Sequence, residues 1–69
     1  MENMQLAQRI RAFRKLKGYT QAKLAAESGV SLAILGAIER GNRRVDEQIL
    51  TKIADSLGIT VSELTDLTK

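Results

Sequence analysis

The chain contains no cysteine, no histidine, no proline and no tryptophan, and Phe13 and Tyr19 are its only aromatic residues. Without cysteine there is no disulfide, thiolate metal site or cysteine nucleophile. Without histidine the usual general base, the commonest zinc ligand and any serine–histidine pairing are missing. The expectation is a protein that is not an enzyme and carries no cofactor, no metal and no small-molecule site. Phe13 and Tyr19 are assigned to packing, which leaves no stacking platform for single-stranded nucleic acid. No apolar run approaches the roughly 20 residues of a membrane span, and no signal-peptide pattern is visible. A cytoplasmic location is therefore expected, with no membrane partner.

What is present is a globular balance: 43% apolar and 28% charged residues in a chain of 69. This length predicts one domain over 1–69, burying only about 60% of the surface that its unfolded chain exposes. With only five glycines and no proline, the chain reads as mostly helical. Charge is unevenly placed. Up to Arg44, the basic residues Arg9, Arg11, Arg14, Lys15, Lys17, Lys23, Arg40, Arg43 and Arg44 face Glu2, Glu27 and Glu39, a net +6, whereas Val45 onward carries a net −3. Such a dipole fits ordinary solvated charge, and it also fits a side turned toward a polyanion.

One local device recurs four times: an apolar residue, a capping residue, three further residues and a leucine. The copies are Tyr19-Thr20 with Leu24, Val30-Ser31 with Leu35, Val45-Asp46 with Leu50, and Ile59-Thr60 with Leu64. Thr, Ser or Asp at an N-cap accepts from an orphaned backbone N–H, and the apolar pair staples the chain as it turns into the helix. Glu63 completes a capping box with Thr60. Gly18, Gly29, Gly41 and Gly58 stand where a left-handed helix stop is wanted. These signals predict five helices, at about 5–17, 21–28, 32–40, 47–57 and 61–67. Leu6, Ile10 and Phe13 form one apolar stripe, Ile49, Leu50, Ile53, Ala54 and Leu57 another, with Leu24, Ala25, Leu35 and Ile38 between them. Helices two and three are joined by a tight turn at Gly29, a helix-turn-helix arrangement that also occurs in proteins that never touch nucleic acid.

Several runs together resemble the xenobiotic-response-element type of helix-turn-helix, the family of the lambdoid phage repressor and Cro DNA-binding domains. They are Arg9-Ile10-Arg11 with Arg14-Lys15 and Gly18, Thr20-Gln21 with Leu24-Ala25, Gly29-Val30-Ser31, Ile38-Glu39-Arg40-Gly41, and Ile53-Ala54 with Leu57-Gly58-Ile59. The resemblance spans about Leu6 to Leu64. It implies an all-α, compact five-helix bundle of the lambda repressor-like kind, whose third helix enters the major groove of double-stranded DNA. It further implies a bacterial or phage transcriptional regulator, most often a repressor.

By position, the resemblance gives Gln21 a phosphate contact at the start of helix two, where free amides favour an anion. It places Arg40, Asn42, Arg43 and Arg44 along the DNA backbone as phosphate donors. Arg14 and Glu39 fall at positions that form an ion pair from helix one to the end of helix three. Arg9, Arg11, Lys15 and Lys17 are expected to supply field and solubility. The base-facing positions correspond to Ser31, Leu32, Ala33 and Ala37, with Ile34 and Gly36 nearby.

Here the sequence departs from the usual pattern, because readers of base edges carry Gln, Asn, Arg or Lys. Only Ser31 has a hydrogen-bonding side chain among the four. Two readings stay open: apolar contact with thymine methyls plus groove shape, or an apolar edge at Leu32-Ala33-Ile34 that binds protein. In the second, the chain is an antitoxin- or antirepressor-like interaction module on the same fold. Gly36 inside a helix suggests close approach by some other group. Apolar residues in the acidic last segment imply a homodimer, with Val61 and Leu67 the contact candidates. A two-fold dimer would read half-sites about one helical turn, roughly 34 Å, apart. Both a compact stand-alone regulator and the head of a longer protein fit the sequence.

Overall fold

Four helices start on a side chain that satisfies a backbone N–H. The structure is a computed structural model and describes residues 4–42 and 44–65. Its elements are α1 (Met4–Leu16), α2 (Gln21–Ser28), α3 (Leu32–Glu39), α4 (Glu47–Leu57) and α5 (Val61–Thr65). Thr20 Oγ1 accepts from Lys23 N at 3.0 Å, Ser31 Oγ from Ile34 N at 3.1 Å and Asp46 Oδ1 from Ile49 N at 2.8 Å. At α5 the predicted capping box closes in both directions: Glu63 N donates to Thr60 Oγ1 and Thr60 N to Glu63 Oε1, each at 3.0 Å. The expected helices match to within one residue, α1 beginning and ending one residue early and α3 ending one early. Residues 66 and 67 of the fifth lie outside the described residues.

The helix stops are equally local. Gly18 N donates to Lys15 O at 2.9 Å while Tyr19 N donates to Arg14 O at 3.0 Å. This pair of bonds ties up two carbonyls that the last turn leaves open. The same pair recurs at Gly41-Asn42, onto Ile38 O and Ala37 O, and at Gly58-Ile59, onto Asp55 O and Ala54 O. Two connections are a bare triplet of stop, staple and start, Gly29-Val30-Ser31 and Gly58-Ile59-Thr60, and the first adds only Lys17 before Gly18-Tyr19-Thr20. The α3–α4 connection is longer and carries the basic residues. The staple leucines Leu24, Leu35 and Leu64 are fully buried, so each cap also delivers a core residue.

The core gathers Leu6, Ile10, Leu24, Ala25, Val30, Leu35, Ile38, Ile53, Ala54, Leu57 and Leu64 from all five helices. The helices α2 and α3 pack on each other, α2 also meets α4, and α1 braces α3 on one side and α5 on the other. Phe13, Tyr19, Ile34, Ile49 and Leu50 close the rim. None of the described helices is long and apolar enough to cross a membrane.

The α2–α3 turn is built around two small residues. Ser28, buried, donates its hydroxyl to Ala25 O at 3.4 Å and accepts from Val30 N at 3.3 Å. Gly29 has φ +76° and donates to Ala25 O at 3.0 Å. A Cβ there would meet nothing within 4 Å, so the cost of a side chain is purely that of the left-handed backbone. Gly29→Ala is expected to destabilise the fold by about 1–2 kcal/mol. Gly29→Asn should cost less, since Asn tolerates this conformation. Urea unfolding of the two variants checks both, and equal losses would contradict a backbone origin.

Candidate nucleic-acid interface

The orientation of α3 follows from which of its residues the core takes. Leu35, Ile38 and Glu39 point inward and are buried. Ala33, exposed, and Ala37, half-buried, lie one turn apart on the side away from Leu35 and Ile38, while Leu32, half exposed at 50%, follows the exposed N-cap Ser31 at the start of the helix. Of the four residues expected to face bases, two thus share one row and two form the exposed start of the same helix. Gly36 belongs to the same side by helical spacing, yet it is buried. A Cβ at Gly36 would lie 3.4 Å from Arg40 Nη1 and 3.9 Å from Gln21 Oε1. Both are ordinary van der Waals separations, so no close approach within the molecule requires glycine here.

Beneath that face lies a charged knot. Arg14 Nε donates to Glu39 Oε2 at 2.8 Å and Arg14 Nη2 to Glu39 Oε1 at 3.0 Å, a two-pronged pair. Gln21 Nε2 also donates to Glu39 Oε1, at 3.1 Å. Arg14 Nη1 donates to Tyr19 O at 2.9 Å. The Glu39 side chain is 2% exposed and that of Arg14 12%. One carboxylate thereby joins α1, the start of α2 and the end of α3. The expected ion pair is present. Gln21 is where it was expected, but one of its amide hydrogens is engaged by Glu39, leaving the other hydrogen and Oε1 for an outside group.

An open concavity of about 570 Å³ adjoins the knot, lined by Met4, Arg11, Arg14, Gln21, Glu39, Arg40 and Asn42. It brings together Gln21, Arg40 and Asn42, three of the five expected phosphate donors. Arg44 is exposed nearby in sequence, and Arg43 lies outside the described residues. Arg11, expected to supply field and solubility, also lines the concavity. The signal was available: Arg11 and Arg14 are three apart on one helix, hence on one face.

Another cation, Arg9, was misjudged. Arg9 Nε donates to Leu64 O at 2.8 Å, Arg9 Nη2 donates to Glu63 O, and the guanidinium lies 5.4 Å from the Phe13 ring centre. Arg9 closes carbonyls of α5 and ties that helix to α1. Lys17 Nζ stands 5.6 Å from the Tyr19 ring centre. Arg9 is thus held within the fold, whereas Lys17 remains exposed. Val61 is half-buried against the core, so part of its side chain is available for a second copy, and Leu67 lies outside the described residues.

Two short helices locked at a tight turn, the second presenting a face beside a cationic concavity, define a helix-turn-helix protein. The chain belongs to the helix-turn-helix family, whose model matches residues 10–64. It is similar to the HTH-type transcriptional regulator YazB of Bacillus subtilis (strain 168), with 57% identity over 56 residues that cover 81% of each chain. Among solved structures it is similar to a chain of the SinR–SinI protein complex, with 36% identity and a TM-score of 0.87. That match covers 90% of this chain and 61% of the other, so the chain spans less than two thirds of its length. It is also similar to the DNA-binding domain of the P22 c2 repressor, with 30% identity, a TM-score of 0.83, and cover of 96% and 91%.

Removing one partner from the knot strands a buried charge. Glu39→Ala is expected to cost about 3–5 kcal/mol, comparable with the whole stability of a chain this size. Replacing both members by apolar residues, Arg14→Met with Glu39→Leu, should cost less than Glu39→Ala alone, because no unpaired charge remains. Thermal unfolding of the single and double variants tests this, and strictly additive losses would refute a buried, coupled pair. Gly36→Ala, by contrast, meets only ordinary contacts and should raise stability by about 0.5–1 kcal/mol in the same assay.

Proposed function

We propose that this chain is a sequence-specific double-stranded DNA-binding regulator of transcription, a repressor that acts as a homodimer with α3 in the major groove. The observation that carries the reading is the juxtaposition around Glu39. The buried Arg14–Glu39–Gln21 knot fixes α3 with Leu32, Ala33 and Ala37 outward, and the same knot forms one wall of the concavity lined by Arg11, Arg40 and Asn42. A helix presented in this way, with guanidinium and amide donors at one end, suits a groove flanked by phosphates. Gln21, Arg40, Asn42, Arg43 and Arg44 are the proposed backbone contacts, and Ser31, Leu32, Ala33 and Ala37 the proposed base-facing ones. The similarity to a regulator and to a repressor's DNA-binding domain supports the same assignment.

Dimerisation through the α5 end, with Val61 and Leu67 as contacts, would set two copies of α3 about one helical turn, roughly 34 Å, apart. The proposed place of action is the cytoplasm of a bacterial or phage-infected cell, where the chromosome lies.

Selection from a randomised duplex pool at near-physiological salt tests the reading. The expected outcome is an enriched palindrome whose half-site spacing gives the dimer geometry. Retention of no duplex would overturn DNA binding and leave the apolar side of α3 to a protein partner. On the selected duplex, Arg44→Ala should weaken binding to all sequences alike and flatten the dependence of log affinity on log salt by about one unit. A loss confined to one sequence would contradict a phosphate role.

A further inference from the structure

We infer that the outward side of α3 reads the C5-methyl groups of pyrimidines in the major groove, an inference that rests on the DNA-binding reading above. The side chains at Leu32, Ala33 and Ala37 contain no donor or acceptor, and Leu32 is half exposed. Gly36, in the same row, is covered by Arg40 Nη1 and Gln21 Oε1 and offers no surface of its own. The hydrogen-bonding groups near this surface are the Ser31 hydroxyl at its start and the side chains of Gln21 and Arg40 over Gly36. At the start, Ser31 Oγ already accepts from Ile34 N, which leaves its hydroxyl hydrogen to donate. At the other end stands Arg40, which shares the concavity with Gln21 and Asn42.

The methyl of thymine is the largest apolar group on the major-groove edge of a duplex, which otherwise presents mainly donors and acceptors. Pressing Leu32, Ala33 and Ala37 onto base donors and acceptors would strip water from those groups and return no hydrogen bond. Only a methyl group meets this surface without that loss. The occupant is a duplex and not an apolar protein surface because of the surrounding charge. Among the described residues, Arg11, Arg40 and Arg44 make no ion pair, and Arg11 and Arg40 flank one end of the row across the concavity. A polyanion answers those charges, and an apolar protein face does not.

The chemistry that is recognised is a methyl on C5, whichever pyrimidine carries it. Thymine and 5-methylcytosine should therefore both be preferred over uracil and cytosine at the contacted positions. Burial of one methyl corresponds to about three- to fourfold in affinity.

The test uses the full chain and a selected duplex, with one pyrimidine position at a time replaced by thymine, uracil, 5-methylcytosine or cytosine. The expected result is that at one or more positions per half-site the methylated member of each pair binds about three- to fourfold tighter. Leu32→Ala, at an exposed position and checked for folding by circular dichroism, should shrink that ratio toward one at its own contact. Equal affinity of methylated and unmethylated members at every position, on a duplex that is still selectively bound, overturns the inference and leaves the DNA-binding reading standing. Failure of any duplex to be selected removes both.

Discussion

The buried carboxylate of Glu39 is the constraint on which the rest of the molecule depends. It accepts from Arg14 of α1 and Gln21 of α2 while standing on the last turn of α3. A charge this deep is tolerated only because its lone pairs are filled by well-aimed donors. The geometry of those donors then dictates where α3 can sit. Apolar packing through Leu35 and Ile38 fixes which side of α3 faces inward but resists small rotations only weakly, since dispersion is not directional. A two-pronged guanidinium–carboxylate pair is directional, so it supplies what the core cannot. The same three side chains form one wall of the cationic concavity, and stability and presentation are therefore set by one group of atoms.

Everything outside the knot is held locally. A chain of this size has a small core, and each helix of 5 to 13 residues would be marginal in isolation. The fold answers by spending almost every connecting residue on a cap. Thr20, Ser31, Asp46 and Thr60 start helices, and the bonds at Gly18, Gly41 and Gly58 stop them within one residue of the turn. The longest connection follows Gly41, between the stop completed by Asn42 and the Val45-Asp46 staple and cap. It is also where Asn42, Arg43 and Arg44 fall.

This division explains what could be read from the sequence. Caps and staples act over three to five residues, so Thr20 with Leu24 or Thr60 with Glu63 announce themselves in the string. The Arg14–Glu39 pair spans 25 residues and was legible only through likeness to a family, because no local pattern links those positions. Arg9 shows what escapes. Its partners are the carbonyls of Glu63 and Leu64, and a carbonyl is present at every residue, so no side-chain pattern marks the pairing. Arg11 was legible in principle from its spacing to Arg14 but was obscured by the many cations around it. Gly36 suggested a close approach, but the groups over it, Arg40 and Gln21, stand at ordinary contact distance from where a Cβ would be.

The apolar character of the α3 surface sets a limit on what one copy can achieve. Hydrogen-bonding readers gain discrimination twice, from the bond made to the right base and from the group left unpaired at the wrong one. On the proposed reading, Leu32, Ala33 and Ala37 would gain it chiefly from contact, so each position would separate bases by a smaller margin than a bidentate Arg or Gln does. The proposed phosphate contacts from the concavity would raise affinity for every sequence equally and so add nothing to that margin. Selectivity on such a surface has to come from the number of positions read at once. Two copies on a two-fold site double that number, and the discrimination of the two half-sites multiplies. On the proposed reading, an apolar base-facing surface would thus make pairing of protomers a condition of specificity and not an accessory to it.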